Sequence, residues 1–573
     1  MSQLLAGLSE QQLTAVTAKN HALVTACPGS GKTRVLSVKT IHILEDSNTT
    51  VAAVTFTKDS ATELRARVLS MSNGDIESRI HTGTFHSLAL QQLKEHKALS
   101  GFRIMSPGEQ FVVLRRAWMP YAETITLDDA IVAIDAIKAK MSPILNSSDP
   151  GADVYKSYQA ILASERRMDF ADLLLRSVQL MQDGSLPPLP VTHMLVDEAQ
   201  DMDEVQYQWI CCHSNNNSAV TLVGDDDQSI YGWRHAMGYE GLMQFVHEHR
   251  ATQITLATNY RSDKSILEYS GRLIAVNTSR VEKKMRANSS EDGVVKVRHF
   301  SERMDEAEAA VESIDRNSNE TWGILSRTNQ RLDMVELALT EEQIPYARVG
   351  GKSFWEKPDP ATFLGLLSAI DKDTFLGIAN ALAWAGITED KLEIGKSEKN
   401  LLKRLKLIDN DLKQDIEFKA QRRTLASFIK LLPEWQAMLQ KKRAGLVATG
   451  AAVWMSSFAG ENKEVMLARC AETVGKLSGT LTERIKLLLS KENKETDKIV
   501  TLMTIHSSKG LEFDHVWILG FENGVIPHRD GVLDEERRLA YVAMTRARHE
   551  LTISYQFSGT TAPSRFLDEA GLR

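Results

Sequence analysis

The chain has 573 residues, more than one hydrophobic core usually organises, so three or four structural units are expected. Hydrophobic residues at 43% and charged residues at 25% exclude a disordered or fibrous chain, and no run of about 18 apolar residues marks a membrane span. The net charge of −7 excludes a surface coated with positive charge, but it leaves room for a local groove that holds a polyanion.

The start, MSQLLAGLSEQQ, lacks a basic segment followed by an apolar run, so a cytoplasmic protein is expected. Next comes HALVTACPGSGKTRVLSVKTIHIL, a β-rich run to Thr25, a glycine-rich turn and an apolar-periodic helix. Buried strands are predicted at Val51–Phe56, His193–Glu198 and Ala219–Gly224, alternating with helices, which implies a parallel sheet. Between Ser87 and Pro190 strand signals give way to helical periods such as EQFVVLRRAW, predicting an inserted helical domain that closes near Leu186–Pro190. A second α/β pattern is predicted from Thr252, with strands in VVKVRHF, TWGILSR, KIVTLMTI and HVWILGF. Glu356–Lys494 reads as a second helical insertion, in which Leu401, Leu402, Leu405 and Ile408 share a face and KENKETDK is the best linker candidate. The predicted domains are therefore 1–86, 87–190 (helical), 191–251, 252–355, 356–494 (helical, short) and 495–573. Cys27, Cys211, Cys212 and Cys470 form no CxxC pair and have no nearby histidines at metal-ligand spacing, so reduced thiols are expected, without zinc or disulfides.

Ala26-Cys27-Pro28-Gly29-Ser30-Gly31-Lys32-Thr33 is a phosphate-binding loop in which Ala26 replaces the usual first glycine. Backbone N–H groups and the following helix N-terminus are suited to cradle a β-phosphate, Lys32 to reach the β and γ phosphates, and Thr33 to hold Mg²⁺; Arg34 follows in the same turn. Asp197 and Glu198 end the strand HMLVDE, where one carboxylate serves Mg²⁺ and the other the attacking water. Arg261 in LATNYRS and Arg546 in YVAMTRA are candidate arginines for the γ-phosphate. In loops, Phe56, Phe85, His86, Tyr231 and Trp233 are candidate stacking surfaces for bases, with Thr84 and Arg234 beside them.

The order of these motifs resembles the UvrD/Rep/PcrA group of superfamily 1 DNA helicases. The resemblance runs from Leu8 to the strand ELTISY and includes MDFADLL at Met168. It implies two RecA-like motor domains, each interrupted by a helical subdomain, with ATP between them and movement 3′ to 5′ along single-stranded DNA. LSEQQ is similar to the Q motif, which gives Gln12 the adenine. VGDDDQSIYGWR resembles motif III, where Gln228 senses the γ-phosphate and Trp233 is the main stacking platform, with Phe56 a second. LATNYRS implies Tyr260 against adenine and Arg261 at the γ-phosphate; TIHSSKGLEF implies Glu512 near the ribose and carries His506, grouped with the DNA contacts; YVAMTRA implies Arg546 as second arginine. After TFT the family usually shows Asn-Lys, whereas here Lys58-Asp59 puts a charge where an amide contacts DNA. The resemblance thus implies ATP and Mg²⁺, with single-stranded and tailed duplex DNA as partners. Small relatives in Gabija-like anti-phage systems suggest an alternative, a regulatory subunit that gates a nuclease partner. An RNA helicase is a third and weaker reading.

Overall fold

The computed structural model describes residues 2–72, 76–99, 101–145, 148–315, 319–413, 419–489, 500–559 and 561–573. The candidate linker KENKETDK lies outside the described residues. The chain divides into two compact units, the first formed by Met1–Val295, Ile526–Glu550 and Ser564–Arg573, the second by Lys296–Val525 and Leu551–Pro563.

Within the first unit, six strands form one wholly parallel sheet: β1 (Ala22–Ala26), β2 (Val51–Thr55), β3 (Ile80–Thr84), β4 (His193–Val196), β5 (Ala219–Gly224) and β6 (Thr252–Leu256), in the order β3-β2-β4-β5-β1-β6. The central runs β1, β2, β4 and β5 are predominantly apolar because both of their faces are covered. Successive side chains point to opposite faces, so Leu23, Ala52 and Val54 enter one core while Ala22, Val24, Val51 and Ala53 enter the other. The sequence placed Thr252 at the start of a second domain. Instead β6 pairs with β1 in the first sheet, Ala22 opposite Thr252. It is an edge strand with Thr252 and Gln253 exposed, so its own pattern does not reveal which sheet it joins.

The first helical insertion has its own core of Met105, Val113, Leu114, Ala130, Ile134, Val154 and Tyr158. Its flanking helices, Phe85–Glu95 and Phe170–Gln182, do not belong to that core. Leu88, Ala89, Leu174 and Val178 pack into the same cluster as Val54, Met194 and Leu222 of the sheet. The insertion is therefore shorter than the predicted 87–190. A buried Lys138 fastens it, donating to Asp169 at 2.6 Å and Asp172 at 2.7 Å, while Tyr158 OH donates to Asp169 at 2.9 Å.

The second sheet contains β7 (Val294–Phe300), β8 (Trp322–Ser326), β9 (Tyr346–Val349), β10 (Val500–Thr504), β11 (Phe513–Leu519) and β12 (Ala547–Gln556), in the order β7-β12-β11-β8-β10-β9. β8, β9, β10 and β11 run parallel. A single all-helical core, from Phe354 through Phe363, Leu405, Phe428, Trp435 and Trp454 to Leu488, builds the second insertion. The fold is α/β with two RecA-like sheets, each interrupted by helices.

The lysine ahead of β2 shows how a buried cation supports this frame. Lys39, 1% exposed, donates to the carbonyls of Ala15 at 3.0 Å and Ala18 at 2.6 Å, satisfying the C-terminal end of the helix Glu10–Thr17. Burial pushes its pKa down to about 8. The folded value lies below the unfolded one, so between them the unfolded chain holds the extra proton. The resulting penalty, roughly 3 kcal/mol, is full below about pH 8 and fades as pH rises towards 10.5. Chemical denaturation from pH 7 to pH 10 is predicted to show an upward stability slope that Lys39→Met lacks; equal slopes in both proteins contradict this account.

Candidate nucleotide and DNA site

The loops that follow β4, β5, β1 and β6 leave the carboxyl ends of four neighbouring strands, where parallel sheets place their ligands. These four loops carry Asp197-Glu198, Asp225–Gln228, the phosphate loop and Asn259–Ser262. All of them lie in the first unit, as does Arg546, which corrects the predicted boundaries that put Arg261 and Arg546 in the second motor domain.

The phosphate loop closes through left-handed glycines, Gly29 at φ 63° and Gly31 at φ 83°. Asn259 braces it. Its Nδ2 donates to Pro28 O at 2.7 Å, and its Oδ1 accepts from the amides of Arg261 at 2.9 Å and Ser262 at 2.7 Å. Gln12 braces the other side, its Nε2 donating to Ser30 O at 2.9 Å and its Oε1 accepting from Ser9 N at 3.1 Å. Gln12 is thus a buried support of the loop. Arg34 is exposed and donates to Gly7 O at 2.9 Å. Tyr260 is 47% exposed, open to stack. Ala26 is fully buried at the end of β1, and Thr33 is half-buried in the first turn of the helix Lys32–Leu44.

Lys32 Nζ lies 3.1 Å from Glu198 Oε2. Burial pulls the Lys32 pKa down, but the carboxylates of Glu198, Asp225 and Asp197 outweigh it and leave it raised, so the ammonium stays charged. Glu198 sits at φ 49°, a left-handed position that costs a non-glycine residue about 1–3 kcal/mol and turns its carboxylate into this cluster. Its N–H donates to Asp197 Oδ1 at 2.9 Å, and its Oε2 accepts from Gln200 Nε2 at 2.7 Å. Gln200 Oε1 accepts from Asp225 N at 2.9 Å; Gln228 Nε2 donates to Asp225 Oδ2 at 2.6 Å; Arg546 donates to Gln228 Oε1 at 3.1 Å. A continuous line of contacts thus joins the phosphate loop to the arginine. Arg546 is 1% exposed, and burial followed by the neighbouring Arg261 guanidinium pushes its pKa down to about 9. Arg261 itself donates to Thr545 O at 3.2 Å.

The residues fit a magnesium-bound triphosphate. The Arg546 guanidinium, disfavoured by burial and by its neighbour Arg261, gains from an anion, Ser30 Oγ is buried without a hydrogen-bond partner, and Thr33 and Asp197 offer the hard oxygens that Mg²⁺ takes.

Sequence reasoning missed Asn259 and an ionic lock. Lys283, fully buried at its side chain, meets Asp225 at 3.1 Å, Asp226 at 2.5 Å and Asp227 at 2.9 Å, while Arg280 grips Asp227 at 2.8 and 2.6 Å. The triple aspartate was visible; its cations lie over fifty residues away and no local pattern flags them.

On the other side of the same sheet end, β2 and β3 deliver Phe56 and Thr84–His86. Phe85 is 1% exposed and packs edge-on to Phe56 at 5.5 Å and Trp209 at 5.9 Å. It is a core residue that supports Phe56, which corrects its reading as a stacking surface. Thr84 caps the helix Phe85–Glu95 reciprocally with Ser87. His86 is half-buried, its pKa lowered by burial against the opposing pull of Asp169, and it lies 6.5 Å edge-on from Phe170, an aromatic 48% exposed. Phe170 stood inside the quoted MDFADLL without being singled out; its place at the start of an amphipathic helix gave the only signal. Trp233 is 59% exposed, 6.4 Å from Tyr231, and Arg234 stacks over both rings at 4.5 and 5.6 Å. Gly232 N donates to Glu535 Oε1 at 3.0 Å, anchoring this loop. Glu512, exposed, and His506, half-buried, belong to the second unit.

Residues 8–250 match the UvrD/REP helicase N-terminal domain, and residues 254–417 and 466–558 match the UvrD-like helicase C-terminal domain. The chain is 30% identical to DNA helicase II of Haemophilus influenzae, covering 99% of this chain and 88% of the relative. It is 27% identical to the ATP-dependent DNA helicase PcrA of Leuconostoc citreum (98% and 84%) and 29% identical to the ATP-dependent DNA helicase Rep of Buchnera aphidicola (96% and 92%). The chain belongs to the UvrD/Rep helicase family, and its enzymatic class is that of an ATP-dependent DNA helicase. The alignment with the Haemophilus protein runs over 644 positions against 573 residues here, so that relative carries segments this chain lacks. No helix among the described residues is long and apolar enough to cross a membrane.

A Cβ on Gly29 would stand 2.5 Å from Arg261 Cβ, on a backbone already left-handed. Gly29→Ala is predicted to cost about 1–3 kcal/mol and to weaken ATP binding by displacing Arg261. Calorimetric titration with an ATP analogue checks it; unchanged affinity contradicts the close approach of loop and arginine.

Proposed function

We propose that the chain is an ATP-driven motor that moves 3′ to 5′ along single-stranded DNA and separates tailed duplexes. The carrying observation is the contact line Lys32–Glu198–Gln200–Asp225–Gln228–Arg546, because Gln228 stands only a few residues before the half-buried Tyr231 and the exposed Trp233 and Arg234 on one continuous segment. A change in charge at the phosphate end therefore acts on the stacking loop through short, buried contacts.

In this reading the amides of Gly29, Ser30 and Gly31, in a loop that starts at Ala26, cradle the phosphates, with Gln12 and Arg34 steadying it from either side. Lys32 neutralises the β and γ phosphates. Thr33 and Asp197 would hold Mg²⁺, which would supply positive charge to offset the phosphate oxygens. Glu198 takes the proton of the attacking water. Arg261 and Arg546 meet the charge that develops on the γ-phosphoryl group, and Gln228 reports its presence. Tyr260 stacks on adenine and Glu512 takes the ribose, both by resemblance. Bases stack on Trp233, Tyr231, Phe56 and Phe170, while Thr84, His86, Arg234 and His506 contact the strand; stacking imposes no sequence, as a walker requires.

A second reading, a subunit that senses ATP and DNA to gate a nuclease partner in a defence complex, draws support from the interruption of the family match between 417 and 466, inside the second insertion. Unwinding of 3′-tailed and 5′-tailed duplexes by the purified chain separates the two. The motor reading predicts unwinding from the 3′ tail alone and ATP turnover that rises on adding single-stranded DNA. No unwinding from either tail, with a nuclease co-purifying, favours the gate. Lys32→Ala is predicted to abolish turnover; Glu198→Gln is predicted to keep ATP binding and lower the turnover rate by at least a factor of about 100. A Glu198→Gln protein with full turnover removes Glu198 from the role of base.

A further inference from the structure

At the opposite, amino-terminal end of the first sheet, three potential metal ligands from two helices come together. Cys211 lies on the helix Glu204–Ser214, and Glu248 and His249 end the helix Gly238–His249. One ligand atom from each of the three falls within 4.8 Å of the other two. Cys211 Sγ and His249 Nε2 stand 3.5 Å apart. That separation matches the edge of a tetrahedron around zinc, roughly 3.5 Å for Zn–S of about 2.3 Å and Zn–N of about 2.0–2.1 Å.

The groups around the three are arranged as supports for ligands. Tyr207 OH donates to Glu248 Oε2 at 2.5 Å, and Ser214 Oγ lies against the His249 ring, 3.1 Å from Nδ1 and 3.5 Å from Nε2. The His21 ring sits 5.5 Å from that of His249, and its Nδ1 accepts the Val220 amide at 3.2 Å. Cys211 is buried and Glu248 exposed, so an ion reaches the cluster from the glutamate side and finds the sulfur shielded behind it. The sequence separation of Cys211 from His249, thirty-eight residues, is not a local metal pattern, which is why the reading of cysteine spacings indicated no zinc.

We propose that Cys211, Glu248 and His249 form a site for a borderline divalent transition ion, Zn²⁺ by preference, with water or His21 in the fourth position. On binding, the Cys211 thiol gives its proton to solvent and the thiolate sulfur bonds to the metal. The ion ties the two helices together beneath β1 and β5, at the far end of the strands from the phosphate loop.

The test uses the full chain, stripped of metal and titrated with Zn²⁺ and separately with Co²⁺. One Zn²⁺ per chain retained through desalting, and a thiolate-to-cobalt charge-transfer band with Co²⁺, are expected. Cys211→Ser should abolish the band, and Glu248→Gln, a change at an exposed position that leaves the core intact, should weaken Zn²⁺ binding about tenfold or more. ATP turnover without DNA should stay unchanged in Glu248→Gln, since the cluster lies apart from the nucleotide loops. Absence of Zn²⁺ binding by the wild-type chain at micromolar metal overturns the proposal, as does equal binding by wild type and both variants.

Discussion

Positive charge held in a buried place governs the nucleotide half of this molecule. Lys32, Arg261 and Arg546 converge on a loop whose own side chains are largely out of water, and the cost of keeping cations there is offset by the carboxylates of Glu198, Asp225 and Asp197. Everything near the loop follows from that constraint. Asn259 and Gln12 fix the loop's backbone, Glu198 accepts a strained conformation to reach Lys32, and Gln228 supplies an acceptor to Arg546.

The sheet explains how these groups meet. Four adjacent parallel strands, β4, β5, β1 and β6, finish at one edge, so residues as distant in sequence as Lys32, Asp197, Gln228 and Arg261 need only short loops to converge. The two strands beside them, β2 and β3, end at the same edge and carry Phe56 and His86. One end of the sheet therefore carries both the phosphate loop and these aromatic loops, with the segment from Asp225 to Arg234 running from the one towards Tyr231 and Trp233. The lock of Lys283 and Arg280 on Asp225, Asp226 and Asp227 holds the start of that segment, and a buried network of this kind gives a single geometry when fully satisfied. Removal of one partner leaves uncompensated charge, which costs about 3–5 kcal/mol.

Much of the nucleotide site was legible in the sequence because its chemistry is covalently local: a glycine turn between strand and helix, or two acids at a strand end, is recognisable wherever it occurs. What escaped depends on tertiary contact. β6 looked like the opening of a new domain, since nothing in TQITL says which strand it will pair with. Phe56 and Phe85 each follow directly on the last residue of a strand, and only the packing of Trp209 behind Phe85 separates core from surface. Asn259 was quoted within its motif yet carried no recognisable chemistry until Pro28 O was found beside it. Phe170 was hidden by an ordinary amphipathic helix, and the cations of the aspartate lock by distance along the chain.

The central claim is that one triphosphate is held between Lys32 and the paired arginines inside the first unit. Calorimetric binding of a non-hydrolysable ATP analogue to the wild-type chain and to Arg546→Ala tests it most directly. The account predicts an affinity loss of about tenfold or more in the variant, a charge-assisted contact to phosphate being worth roughly 1.5–3 kcal/mol, together with loss of turnover. Wild-type affinity with wild-type turnover in Arg546→Ala contradicts it.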